Sequence, residues 1–260
     1  MLEVIDKGHC TDAHPVPLLF IHGGYHAAWC WDEYFLEFFA DRGFHALALS
    51  LRGHGRSTLS QPLRSCSIAD YVDDVSTVAT LLNAEPVVIG HSMGGFVVQK
   101  YLETRRAPAA ILMATIPPQG TLGTIVRWAR RHPWSFLRAN AFGDSANFIN
   151  TPARAREFFF CATTPESVVE SCAARIGSES TRAGRDQILN LPKTRLVTTP
   201  LLVLGATDDV TVSNNEVNRT AKKYHTEPEF FPGMGHNMML EPGWPNVAER
   251  ICTWLGSQGL

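Results

Sequence analysis

The sequence is poor in charge and has no excess of one sign. Of its 260 residues 18% are charged, 23 basic against 25 acidic, giving a formal net charge of -2. That balance offers no overall attraction to nucleic acid or to an anionic membrane, so neither is expected as a partner. No apolar run approaches the ~18–20 residues that a membrane-crossing helix needs. Met1 to Asp12 is polar and mixed in charge, without the apolar stretch of a secretory leader, and a cytoplasmic location is expected. The six cysteines (Cys10, Cys30, Cys66, Cys161, Cys172, Cys252) form no C-x-x-C pair, which argues against zinc and for reduced, mostly buried thiols. No glycine loop of the Walker or dinucleotide type is present. Neither a metal nor an organic cofactor is therefore expected. There is no internal repeat, low-complexity tract or long linker. The 45% apolar content and modest charge exclude disorder for most of the length.

What is present is a series of short, continuous apolar runs: Leu18–Ile21, Ala46–Leu49, Val87–Ile89, Ala110–Met113 and Leu201–Leu204. Such runs suit strands buried on both faces, the habit of parallel sheets. Helical patterns lie between them. Ser67 with Asp70 forms a capping-box start, followed by Ile68, Tyr71, Val72, Val75, Val78, Ala79 and Leu82 on one face. Val247, Ala248, Ile251, Cys252 and Leu255 repeat in the same way after Pro245. The alternation predicts a doubly wound, mostly parallel α/β sheet with right-handed crossovers.

The alternation stops between Thr115 and Thr199. There Leu122, Ile125, Val126 and Ala129 share a helical face that ends at His132-Pro133. Thr151-Pro152 and Thr164-Pro165 each read as an N-cap followed by Pro at the first helical position. Aromatics are dense: Trp128, Trp134, Phe136, Phe142, Phe148 and Phe158 to Phe160. The expected organisation is a core of residues 1–114 and 200–260, with residues 115–199 as a helical cap inserted between two strands.

The chemistry concentrates in Val87-Val88-Ile89-Gly90-His91-Ser92-Met93-Gly94-Gly95, an apolar strand running through G-x-S-x-G into a helix. A serine at a sharp strand-to-helix turn has its hydroxyl exposed and sits at a helix N-terminus, where N–H groups favour a developing anion. A hydroxyl alone is a poor nucleophile and needs a base oriented by an acid. In the order Ser, Asp/Glu, His, the partners follow as Asp208 or Asp209, with Asp208 preferred, and His236 in Gly233-Met234-Gly235-His236-Asn237. Both lie in loops after strands, at the carboxyl edge of the sheet. Ile21-His22-Gly23-Gly24 ends another strand, and the N–H groups of Gly24 and Met93 are expected to bind an oxyanion. His22 reads as a loop brace, and His91 is expected to point away from the serine. Arg127, Arg130 and Arg131 read as a solvated helix face rather than a site for an anionic substrate.

With His22-Gly23-Gly24, Arg52-Gly53-His54-Gly55-Arg56-Ser57, Gly90 to Gly95, Gly205 to Asp208 and Gly235-His236, the chain resembles the α/β-hydrolase superfamily over nearly its whole length. The stretch His22 to Trp31 is similar to the plant methylesterase and hydroxynitrile lyase branch. Gly23 and Asn237 stand where the lyases carry Thr and Lys, which favours the esterase side. The resemblance implies Ser92, Asp208 and His236 at the triad positions, with Gly24 and Met93 at the oxyanion positions. Two departures stand out. Ser50 replaces the usual Asp before the R-G-H-G motif, so a loop contact is expected to be missing. The short lead before His22 implies a reduced opening hairpin.

The expected function is hydrolysis of a small to medium apolar carboxylic ester through an acyl-enzyme. A cofactor-free haloperoxidase or perhydrolase, a carbon–carbon bond hydrolase and a slow-turnover ligand receptor are the alternatives. The expected partner is a small-molecule ester or related acyl compound, and a homo-oligomer is compatible with the sequence.

Overall fold

The computed structural model describes residues 1–134 and 146–260, so Phe136 and Phe142 lie outside the described residues. Seven strands form one sheet: β1 (Glu3–Lys7), β2 (Leu18–Ile21), β3 (Ala46–Ser50), β4 (Val87–His91), β5 (Ala110–Met113), β6 (Leu201–Ala206) and β7 (Pro228–Phe231). Their order is β1-β3-β2-β4-β5-β6-β7. All neighbours run parallel except β1, which is antiparallel to β3. The five apolar runs are β2 to β6, and every residue of these strands is buried. Two apolar clusters, one on each face of the sheet, account for that burial. One is built around Phe20, Trp31, Phe35 and Ile251, the other around Leu49, Tyr71, Val75 and Phe96.

The opening element is a single strand, and its pairing changes what Ser50 does. Antiparallel register sets Glu3 directly beside Ser50. The Ser50 hydroxyl donates to Glu3 Oε2 (2.7 Å) and accepts from the Ala28 N–H (3.0 Å), while the Glu3 carboxylate accepts from Arg56 N and Nε. The loop contact expected to be missing is thus supplied by two residues from neighbouring strands.

Helices connect these strands. Helix α1 spans Trp29–Asp32, α2 Phe35–Ala40, α3 Ile68–Ala79 and α4 Met93–Tyr101. Helix α3 carries the full Ser67/Asp70 capping box. Between β5 and β6 lie α5 (Leu122–Arg131), α6 (Pro152–Phe159), α7 (Glu166–Arg175) and α8 (Thr181–Leu189). Thr151 caps α6 with Pro at the helix start, as expected. Thr164 does not cap α7; its hydroxyl donates instead to the buried Glu241 (2.6 Å), and Pro165 takes the N-cap position. The buried face of α5 also differs from expectation. Leu122 and Val126 are exposed, whereas Thr124 and Trp128 are buried, with the Thr124 hydroxyl bonded to the Thr211 carbonyl (2.8 Å). Arg127 is not a solvated face residue: its guanidinium bonds Glu216 (2.7 Å) and the Val210 and Thr211 carbonyls. The chain closes with α9 (Asn214–Lys223) and α10 (Trp244–Ser257). No helix among the described residues is long and apolar enough to cross a membrane.

Candidate active site

Ser92 sits between β4 and α4 with φ +51° and ψ −117°. This left-handed backbone is costly for a residue with a side chain and persists only where its surroundings enforce it. Here the enforcement is close packing. A Cβ on Gly94 would collide with the Ile21 and His22 carbonyls, so glycine lets α4 start against the end of β2. The Ser92 N–H is held by Met113 O (3.1 Å), and its carbonyl accepts from Ile116 N (3.1 Å) and Phe96 N (3.2 Å).

The Ser92 hydroxyl lies 2.9 Å from His236 Nε2, and His236 Nδ1 lies 2.7 Å from Asp209 Oδ2. The carboxylate against His236 is therefore Asp209 and not Asp208. The chain turns immediately after β6, with Asp209 N bonded to Ala206 O, which sends the second acid inward. Asp209 is buried, and its other oxygen accepts from Thr211 N (2.7 Å) and Val212 N (2.9 Å). Asp208 is exposed and meets the Thr207 hydroxyl (3.0 Å). Two adjacent acids after one strand are indistinguishable by spacing; the turn geometry separates them.

The loop after β2 aims its backbone at the same place. The His22 ring bonds Gly23 O through Nδ1 (2.8 Å) and accepts from Leu51 N–H at Nε2 (3.0 Å). In a trans peptide the C=O and the following N–H point in opposite directions. Holding the Gly23 carbonyl on His22 thus turns the Gly24 N–H the other way. Gly24, Ser92, Met93 and His236 line one cavity, and neither the Gly24 nor the Met93 N–H meets an acceptor among the described residues. His26 fixes the next peptide, donating from Nδ1 to Gly24 O (2.8 Å) and accepting from Asn237 Nδ2 at Nε2 (3.1 Å). Burial lowers the His26 pKa to about 4 and holds His22 and His91 well below the ordinary histidine range. These rings are neutral braces.

His91 is bonded to the histidine loop and not to the serine. Its Nε2 donates to the His236 carbonyl (2.9 Å), joining the serine turn to the histidine loop. Glu179, which no sequence pattern marks, reaches the cavity from between α7 and α8. A second buried carboxylate, Glu241, accepts from Gly235 N (2.9 Å) and Cys161 N (2.6 Å), tying the histidine loop to the segment after α6. Among the described residues no cluster of His, Cys, Asp or Glu could hold a metal ion.

The cavity measures about 310 Å³, with walls from the strand-end loops and from helices lying between β5 and β6. Tyr25, Met93 and Ile116 face Ile125, Trp128, Phe148, Phe159 and Ile188, and Thr124 and Thr211 add hydroxyls. This mainly apolar concavity with a few convergent polar groups suits a small organic substrate.

A strained serine at a strand–helix turn, bonded to a histidine that is bonded to a carboxylate, defines a class on this sheet. Residues 18–246 match the alpha/beta hydrolase family, and the chain belongs to it. A non-heme chloroperoxidase of Burkholderia pyrrocinia is 26% identical over 247 residues, 86% of each chain. A bifunctional esterase/perhydrolase of Acinetobacter calcoaceticus is 37% identical over 109 residues, 39% of this chain and 38% of that protein. The chain likewise spans only 38% of the length of other curated relatives that it matches locally. A thermophilic esterase from Thermogutta terrifontis superposes with a TM-score of 0.76 at 21% identity, covering 100% of this chain and 94% of that one, which is a likeness of fold.

Proposed function

We propose that the protein hydrolyses a small to medium apolar carboxylic ester through an acyl-enzyme on Ser92. The observation that carries this reading is the unbroken relay from the Ser92 hydroxyl through His236 to Asp209, at 2.9 and 2.7 Å, on the floor of an apolar cavity. His236 Nε2 takes the Ser92 proton as Oγ attacks the ester carbonyl. Asp209 holds the Nδ1–H tautomer and stabilises the imidazolium. The Gly24 and Met93 N–H groups receive the oxyanion. His236 then protonates the leaving alcohol and activates the water that frees the acid and regenerates Ser92. Residues 115–199 act as a cap over this floor, and the apolar side chains of α5, α6 and α8 select the acyl or alcohol group.

Turnover of a p-nitrophenyl ester series by the wild type and by Ser92→Ala tests the reading. Rapid hydrolysis that disappears with Ser92 supports it; hydrolysis unchanged in Ser92→Ala contradicts it. The names of the relatives favour a second reading on the same acyl-enzyme. Hydrogen peroxide replaces water as the attacking nucleophile, and a peracid leaves while Ser92 recovers its proton. Ser92-dependent halogenation that needs both peroxide and a carboxylic acid supports this reading; failure to halogenate under those conditions removes it.

A further inference from the structure

Glu179 is the one carboxylate among the described residues that line the cavity. It arrives from the connection between α7 and α8, yet it bonds three elements of the sheet domain. Its Oε1 accepts from the Tyr71 hydroxyl on α3 (2.8 Å) and from Ser180 N (2.7 Å). Its Oε2 accepts from His54 Nε2 (3.1 Å) and stands 3.4 Å from Tyr25 N. The same segment bonds Tyr25 a second time, through Gly177 N to Tyr25 O (2.9 Å). Tyr25 is held at φ +68°, a left-handed backbone that relaxes unless something grips it. It directly follows Gly24, whose N–H faces the cavity.

A buried carboxylate is costly unless it is paired and fully bonded, so one placed at the wall of an apolar cavity and supplied with four donors has a use there. Accordingly, we propose that Glu179 is a positioning residue for the oxyanion hole. From the cap it grips Tyr25 and His54, and so fixes the Gly24 N–H that receives the oxyanion. This inference rests on the serine-hydrolase reading above.

The grip carries a charge requirement. A bare carboxylate beside the oxyanion loop opposes a developing negative charge, whereas a carboxylate paired with protonated His54 does not. Burial alone lowers the His54 pKa, but the Glu179 charge and hydrogen bond outweigh it and raise it overall. Burial likewise raises Glu179, and the facing His54 brings it below the ordinary glutamate value. The other titratable groups facing His54 are Tyr71 on α3 and the His22 and His26 rings of the loop after β2. Burial keeps those two rings neutral and raises Tyr71, so the charge belongs to the His54–Glu179 pair. A raised histidine pKa means the pairing is complete at low pH and is lost as pH rises through that value.

The test is kcat and KM for one p-nitrophenyl ester from neutral to alkaline pH. The proteins are the wild type, Glu179→Gln, Glu179→Ala, His54→Gln and Ser92→Ala, with thermal melting as the check on folding. Gln keeps the volume and an acceptor for Tyr71, so it guards against loss of fold. Expected is a kcat about tenfold lower in both Glu179 variants, with KM within about twofold, since the donor is misplaced and not removed. The wild type loses kcat on the alkaline side, and that limb is absent in Glu179→Gln and His54→Gln. Wild-type kcat in Glu179→Gln, a rise in KM alone, or an alkaline limb unchanged in all variants overturns the proposal. If Ser92→Ala keeps full activity, it is the hydrolase reading itself that fails.

Discussion

The strand-end wall of the cavity and the helical wall opposite it are built from different bonds. On the strand-end wall the serine and the acid are fixed by backbone. Ser92 is locked between the Met113 carbonyl and the Ile116 amide, and the Asp209 carboxylate is held by two amides. The helical wall has backbone bonds from Gly177 to Tyr25 and from Asn237 to Phe159, but much of its attachment runs through side chains. Glu241 holds Cys161 and Thr164, Glu179 holds Tyr71 and His54, and Arg127 holds Glu216. Backbone bonds come with the fold and survive substitution elsewhere. Side-chain bonds are each removable by one mutation, so the helical wall is where substrate choice can change while the Ser92–His236–Asp209 relay stays in place.

The contrast yields predictions in descending order of effect. Ser92→Ala should reduce kcat by about 10⁴-fold or more in an ester assay, with the melting temperature little changed. Asp209→Asn should reduce kcat by about 10³–10⁴-fold, because the imidazole loses its tautomer and its counter-charge. Asp208→Asn, one residue away but exposed, should stay within about twofold; equal losses in the two variants would erase the distinction drawn here. Glu241→Ala strands Gly235 N, Cys161 N and the Thr164 hydroxyl. It should cost about 2–4 kcal/mol of stability, read by denaturant unfolding. Arg127→Met removes bonds to Glu216 and the Thr211 carbonyl, and should raise KM a few-fold with kcat nearly kept. A large fall in kcat would instead show that α5 holds the Asp209 loop in place.

The same division governs what the sequence made legible. Strands β2 to β6 were readable because burial on both faces demands unbroken apolar runs. Ser92 and His236 were readable because a strained turn demands small neighbours. The choice between Asp208 and Asp209 was not, since it depends on one turn after β6. Nor was the role of Glu3. Its pairing with Ser50 comes from an antiparallel register across more than forty residues of chain, which no local pattern encodes. The inward face of α5 is likewise hidden from local pattern: Thr124 bonds the distant Thr211 carbonyl and Trp128 is buried, while Leu122 and Val126 are exposed. Glu179 lies in Ser178-Glu179-Ser180, with no periodicity around it and partners more than a hundred residues away.

The central claim is that Ser92 is a nucleophile activated through His236 by Asp209. Labelling with a fluorophosphonate, followed by intact mass and peptide mapping, tests it most directly. The account predicts one equivalent of label on Ser92, none in Ser92→Ala, much slower labelling in Asp209→Asn, and wild-type labelling in Asp208→Asn. Label on another residue, or equal rates in the two aspartate variants, would contradict it.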